Sequence, residues 1–248
     1  MHGPKDDLAT LAAIGVLAAI AAALGHEALG HAGACLATGG EVTLLTAIWF
    51  RCSPGSTLVN AAGPLGGLLV SLGGLALAGL APRSATRLRL LGLLLGSFAG
   101  FWFCAQLTNQ VLLGRDDWSF AAGWPIERRI LVAAAGVAGY GLLIRLIWRL
   151  ASLIAGGRAD QRRFLVPHAA GALAQILCAA LRPIDGSAVE MALAVGVAPL
   201  GYVWAVTRPL RFSTGTEPLA RSWTWVVIGL AALTIYAAVL GRGIGALA

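Results

Sequence analysis

Apolar stretches of about twenty residues, separated by short polar loops, recur along the whole 248-residue chain. A helix of that length matches the hydrocarbon core of a bilayer. Such runs lie near residues 8–38, 56–81, 88–113, 129–154, 164–182, 187–206 and 222–241. They predict an all-α polytopic membrane protein with about six to seven transmembrane helices. As one helix the first run would measure roughly 46 Å, so it projects beyond the bilayer or ends in non-helical chain. Its alanine-rich start has the look of a signal peptide, but Lys5 is offset by Asp6 and Asp7, and the segment is read as retained. After it, Gly39 to Phe50 is β-branched and aromatic behind a glycine pair, which predicts a short re-entrant β-like strand or hairpin. Such backbone sits at membrane depth only under cover of protein or of a water-filled cavity. A strand beside a cleft can also pair with an extended peptide.

Composition narrows the class. Hydrophobic residues make up 58% of the chain, charged residues 12%, and mean hydropathy is +0.80; a soluble domain carries about a quarter charged residues, so that class is excluded. The net charge of +7 raises the question of nucleic acid. The arginines are scattered among short loops, without a basic stripe interleaved with aromatics, and no nucleic-acid partner is expected. The positive-inside rule instead uses them to set topology. Arg83, Arg87 and Arg89, then Arg145, Arg149, Arg158, Arg162 and Arg163, then Arg208, Arg211 and Arg221 fall in alternate loops. These and the N-terminus are expected in the cytoplasm, in a cell membrane of bacterial type, against a weaker opposing group of Arg115, Arg128 and Arg129. The end of the first helix and the loop after the third then share the other side. Cys35, Cys52, Cys104 and Cys178 show no paired spacing, and most of them read as small apolar packers, not as a zinc ribbon or a disulfide framework.

Polar chemistry concentrates in Gly25-His26-Glu27-Ala28-Leu29-Gly30-His31, inside the first apolar run. Ionisable groups at that depth mark function. Two imidazoles and a carboxylate are what a catalytic zinc site uses as ligands and general base. Zinc helices usually carry their histidines at i and i+4; here the second stands at i+5, about 140° around an ideal α-helix from the first. A π-bulge returns the two rings to a common face, with Gly30 as a place for the backbone to adjust.

The six-residue His26–His31 motif is similar to that of the dipeptidyl peptidase III family, where both histidines bind zinc. The wider layout resembles the site-2 protease family of intramembrane zinc metalloproteases, whose first core helix carries the zinc motif and is followed by a β-like segment. Asn60-Ala61-Ala62-Gly63-Pro64-Leu65-Gly66 resembles that family's second motif, and implies Asn60 as a residue that holds the substrate. The third metal ligand in the family is an aspartate about eight residues after an asparagine, which implies Asp117, with Asn109 as a second substrate-binding position. Asp116 is a rival, as is Asp185 in Arg182-Pro183-Ile184-Asp185-Gly186. The resemblance covers about residues 8–120, within a metalloprotease-like core at 1–155; residues 156–248 would be further transmembrane helices without an interpretable motif, and Gly156 to Arg163 is the boundary.

The implied activity is hydrolysis of a membrane protein substrate, with Zn²⁺ on His26, His31 and Asp117 and with Glu27 as base. An inactive relative acting as a binding or regulatory protein, or a proton or metal transporter, is the alternative. His168 and Glu190 are isolated polar residues in later spans, and His168 reads as a packed core histidine.

Overall fold

The computed structural model describes residues 5–155, 161–181, 187–208 and 217–245. Asp185 and most of the Gly156–Arg163 boundary lie outside the described residues. Among those described, seven helices are long and apolar enough to cross a membrane: α1 (Leu8–Ala37), α2 (Thr57–Leu80), α3 (Thr86–Leu113), α4 (Ile126–Ala155), α5 (Arg162–Ala180), α6 (Ala188–Thr207) and α7 (Trp223–Gly241). The chain is a multi-pass, predominantly helical membrane protein, and the runs seen in the sequence match these helices one for one.

Local chemistry sets the helix ends. Asp7 caps α1 by accepting from the Thr10 amide at 2.9 Å, and Ser56 caps α2 by accepting from Val59 at 3.2 Å. Gly114, with φ of 61°, closes α3 in the left-handed conformation. Helix α1 packs along α3, α5 and α7; α2 lies on α3, and α3 on α4. The larger apolar core collects Leu11, Ile14, Phe98, Phe101, Phe164 and Tyr202 from these helices.

One end of the bundle is held by charge. Arg163 meets Asp6 at 2.7 Å, and Arg221 meets Asp7 at 3.0 Å. The Asp6 carboxyl, which burial alone would raise, is held below the usual carboxylate range by the Arg163 guanidinium and the Leu219 amide. The loop after α2 joins the same end, where Arg87 donates to the Ala220 carbonyl at 2.9 Å. His26 lies further along α1 by about 30 Å of helix rise.

At that far end β1 (Glu41–Leu45) and β2 (Phe50–Ser53) form an antiparallel hairpin with Leu45 opposite Phe50. The hairpin is fastened twice. A disulfide joins Cys35, near the end of α1, to Cys52 in β2. On the other side, Leu45 exchanges backbone hydrogen bonds with Ile244 at 2.8 and 2.9 Å, and the Ala47 amide donates to the Leu240 carbonyl at 3.1 Å. One expectation is corrected here. Cys35 and Cys52 are not apolar packers but a cross-link over 17 residues; only Cys104 and Cys178 are buried free thiols. The outer edge of β1 at Leu45 is also already paired to the C-terminal segment.

Candidate metal centre

The segment Gly25–Ala32 of α1 is a π-helix, continuous with α-helix on both sides. A π turn takes one residue more than an α turn, so it absorbs the extra residue of the motif. The His26 and His31 ring centroids stand 4.9 Å apart, nearly perpendicular. Both rings are buried, as is Glu27.

Close approach of α2 makes the arrangement possible. A Cβ at Gly30 would fall 2.5 Å from the Ala62 carbonyl oxygen, and one at Gly63 would overlap the His31 imidazole itself. Glycine at these two places lets α2 lie against the π segment. The Val59 carbonyl, one turn before Gly63, accepts a hydrogen bond from His31 Nδ1 at 2.7 Å. That bond fixes the tautomer, so the other nitrogen, Nε2, presents a lone pair. On its far side the ring stacks on Phe50 of β2, with centroids 5.1 Å apart and planes 7° from parallel.

The third group arrives from the loop after α3. Beyond Gly114, Asp116 has φ of 51°, a left-handed conformation that side-chain-bearing residues seldom take. The tight path turns Asp117 inward and leaves Asp116 against Arg115 at 3.5 Å. Asp117 Oδ2 lies 3.2 Å from His26 Nε2, and Oδ1 lies 3.2 Å from His31 Nε2. Gln106 of α3 donates to Oδ2 at 2.7 Å. Burial alone would raise the Asp117 carboxyl; protonated imidazoles donating to it, a positive charge standing where a metal ion would, outweigh that and hold it below the usual carboxylate range.

This donor set fits a metal ion. One nitrogen from each histidine and one oxygen from Asp117 all lie within 4.8 Å of one another. With the Nδ1 proton of His31 committed to Val59, its Nε2 lone pair faces a carboxylate oxygen. Two acceptors are held that close only by a cation or a proton between them. Two imidazoles and a carboxylate suit zinc and several other divalent transition metals alike.

The triad opens onto a cavity of about 210 Å³ that is also lined by Glu27, Trp49, Asn60, Gln110 and Glu190. Of the residues singled out in the sequence, His26, Glu27, His31, Asn60 and Asp117 therefore meet in one place. Asn109 does not; it is exposed, and its side-chain oxygen accepts from Arg115 at 3.1 Å. The amides that α3 turns to the cavity are Gln106 and Gln110, one helical turn apart on the face beside Asp117. Their i, i+4 spacing inside an apolar span was the available signal. Glu190, isolated in the sequence, is brought to the same cavity by α6. Comparison with protein-family models, with curated proteins and with solved structures finds no match.

Proposed function

We propose that this chain is an intramembrane zinc metalloprotease of the site-2 type, cleaving membrane-embedded protein substrates. The observation that carries the reading is the π segment, which aims two histidines of a shifted zinc motif at Asp117 and leaves Glu27 in the same cavity. A zinc ion on His26, His31 and Asp117 would supply Lewis acidity, making water more acidic and a peptide carbonyl more electrophilic. Glu27 has no hydrogen bond or ion pair among the described residues, so its carboxylate is available to take a proton from the attacking water and deliver it to the leaving amine. The Asn60 amide stands in the wall, where it can hydrogen-bond an extended substrate backbone. A smaller apolar cavity of about 50 Å³, bounded by Ala22, Phe98, Trp102 and Met191, shares His26 and Glu27 with the first and suits a hydrophobic side chain beside the cleaved bond.

Two independent arguments orient the chain. Disulfides persist in oxidising compartments, which supports a Cys35–Cys52 hairpin outside the cytoplasm. Arg87, Arg163 and Arg221, gathered at the other end beside Ala220, Asp6 and Asp7, support a cytoplasmic N-terminus.

The test is to purify the full chain in detergent, measure zinc per chain, and follow cleavage of a reconstituted transmembrane substrate by wild type and Glu27→Gln. One zinc per chain in both, with proteolysis only in wild type, is the expected result. Zinc without proteolysis would make the chain an inactive relative. Ion flux into liposomes that Glu27→Gln abolishes would make it a transporter.

A further inference from the structure

The polar wall of the 210 Å³ cavity, beyond the metal triad and Glu27, contains Asn60, Gln106, Gln110, Asp116 and Glu190 and, among the described residues, no basic side chain. Its charges do not balance. Glu27 and Asp117 offset a divalent ion, Asp116 is paired with Arg115, and Glu190 has no ion pair among the described residues. A second observation is independent of charge. Gln106 is 1% exposed and Gln110 is 7% exposed, yet the Oε1 atom of each is buried without a donor among the described residues. Buried acceptors left unmatched are costly, and a ligand rich in N–H groups relieves that cost.

We propose, building on the hydrolase reading above, that this cavity receives a lysine or arginine side chain of the substrate next to the cleaved bond. Glu190 pairs with the cationic head, and the Gln106 and Gln110 carbonyls accept its remaining protons. Each partner answers a defect of the empty wall: the charge meets the unbalanced carboxylate, and the N–H groups meet the orphaned oxygens. The preference is local, because the chain as a whole carries +7 and repels cationic peptides at long range. Glu190 is thereby a specificity-determining residue, contributed by the C-terminal helices to a site otherwise built from α1, α2, α3, the hairpin and the loop after α3.

The experiment uses zinc-loaded full-length protein in detergent, in the Glu27→Gln background so that peptides bind without being cut. A labelled alanine–leucine dodecapeptide carries Lys at each central position in turn, with matching Gln and Glu series, and binding is read by fluorescence anisotropy. At one position the Lys peptide should bind about tenfold more tightly than its Gln counterpart, and the Glu peptide more weakly than either. Glu190→Gln should erase the Lys preference while retaining zinc, Glu190→Asp should keep part of it, and Gln110→Leu should reduce it. Equal binding of the three series, no binding at all, a preference that survives Glu190→Gln, or loss of zinc in that variant would each overturn the proposal. Cleavage, measured separately with Glu27 intact, divides the two readings. A Lys preference without cleavage sinks the protease and leaves the cationic site, and cleavage without a preference does the reverse.

Discussion

Two imidazoles, His31 in α1 and His168 in α5, are buried and stacked in much the same way, yet only His31 joins the candidate metal triad. Each stacks on a phenylalanine, His31 on Phe50 at 5.1 Å and His168 on Phe98 at 5.0 Å, with planes 7° and 16° from parallel. Each is less than a tenth exposed. They differ at the nitrogens. His31 Nδ1 donates to Val59 and its Nε2 faces Asp117; His168 Nδ1 has no partner among the described residues, and its ring also packs at a tilt against Tyr202. A histidine becomes a ligand when one nitrogen is oriented so that the other meets an acceptor, and burial or stacking without that geometry makes only a packed ring.

The strongest way to break this comparison is to remove each ring in turn. His31→Ala is expected to weaken zinc binding by roughly 100-fold or more, the share of one ligand in a total on the order of 10 kcal/mol. His168→Phe, which keeps the bulk between Phe98 and Tyr202, should leave metal content at the wild-type level. Metal analysis after gel filtration reads both, and loss of zinc on changing His168 would undo the distinction.

A subtler break leaves every ligand in place. Gly63→Ala puts a methyl group where the His31 ring stands, so the ring or α2 must move, and both the Val59 hydrogen bond and the aim of Nε2 suffer. Zinc affinity should fall toward the upper end of a 10- to 100-fold range, seen by competition with a fluorescent chelator. An affinity unchanged from wild type would mean that close approach of α2 does not hold the ring.

Gln106→Leu should cost less, about tenfold in the same titration, because it deletes only the 2.7 Å hydrogen bond that orients Asp117. Gln106 and Gln110 also mark where the sequence stopped being legible. The seven spans could be read directly, since hydrophobic length is written locally. The π segment could be inferred, because the i+5 spacing of His26 and His31 forces either it or divergence of the rings. Asp117 was implied by the family resemblance, but what sets it apart from Asp116 in the fold is a left-handed residue and a tight turn that no composition announces. Asn109 was expected in the cleft by family resemblance, whereas helix phase turns Gln106 and Gln110 there. The Cys35–Cys52 bond and the Leu45–Ile244 pairing join residues with no local pattern between them, so only the folded chain reveals them.

The smallest effect tests the one feature the two imidazoles share. Phe50→Leu and Phe98→Leu each remove a ring stacked on a histidine, an interaction of about 0.5–1.5 kcal/mol. If stacking only packs, both variants should lose similar thermal stability and neither should alter metal content. Phe50, however, covers a face of the His31 ring whose edge is anchored at Val59, and its strand is tied to α1 through Cys52. Phe50→Leu should therefore also loosen zinc by about threefold, the low end of that stacking energy expressed as affinity, and Phe98→Leu should not. The pair isolates stacking from ligation, because the same substitution is made against each ring and only one ring has a nitrogen aimed at Asp117. Equal zinc affinity in the two variants would show that the Val59 hydrogen bond alone orients His31, and that the hairpin covers the site without helping to hold the metal.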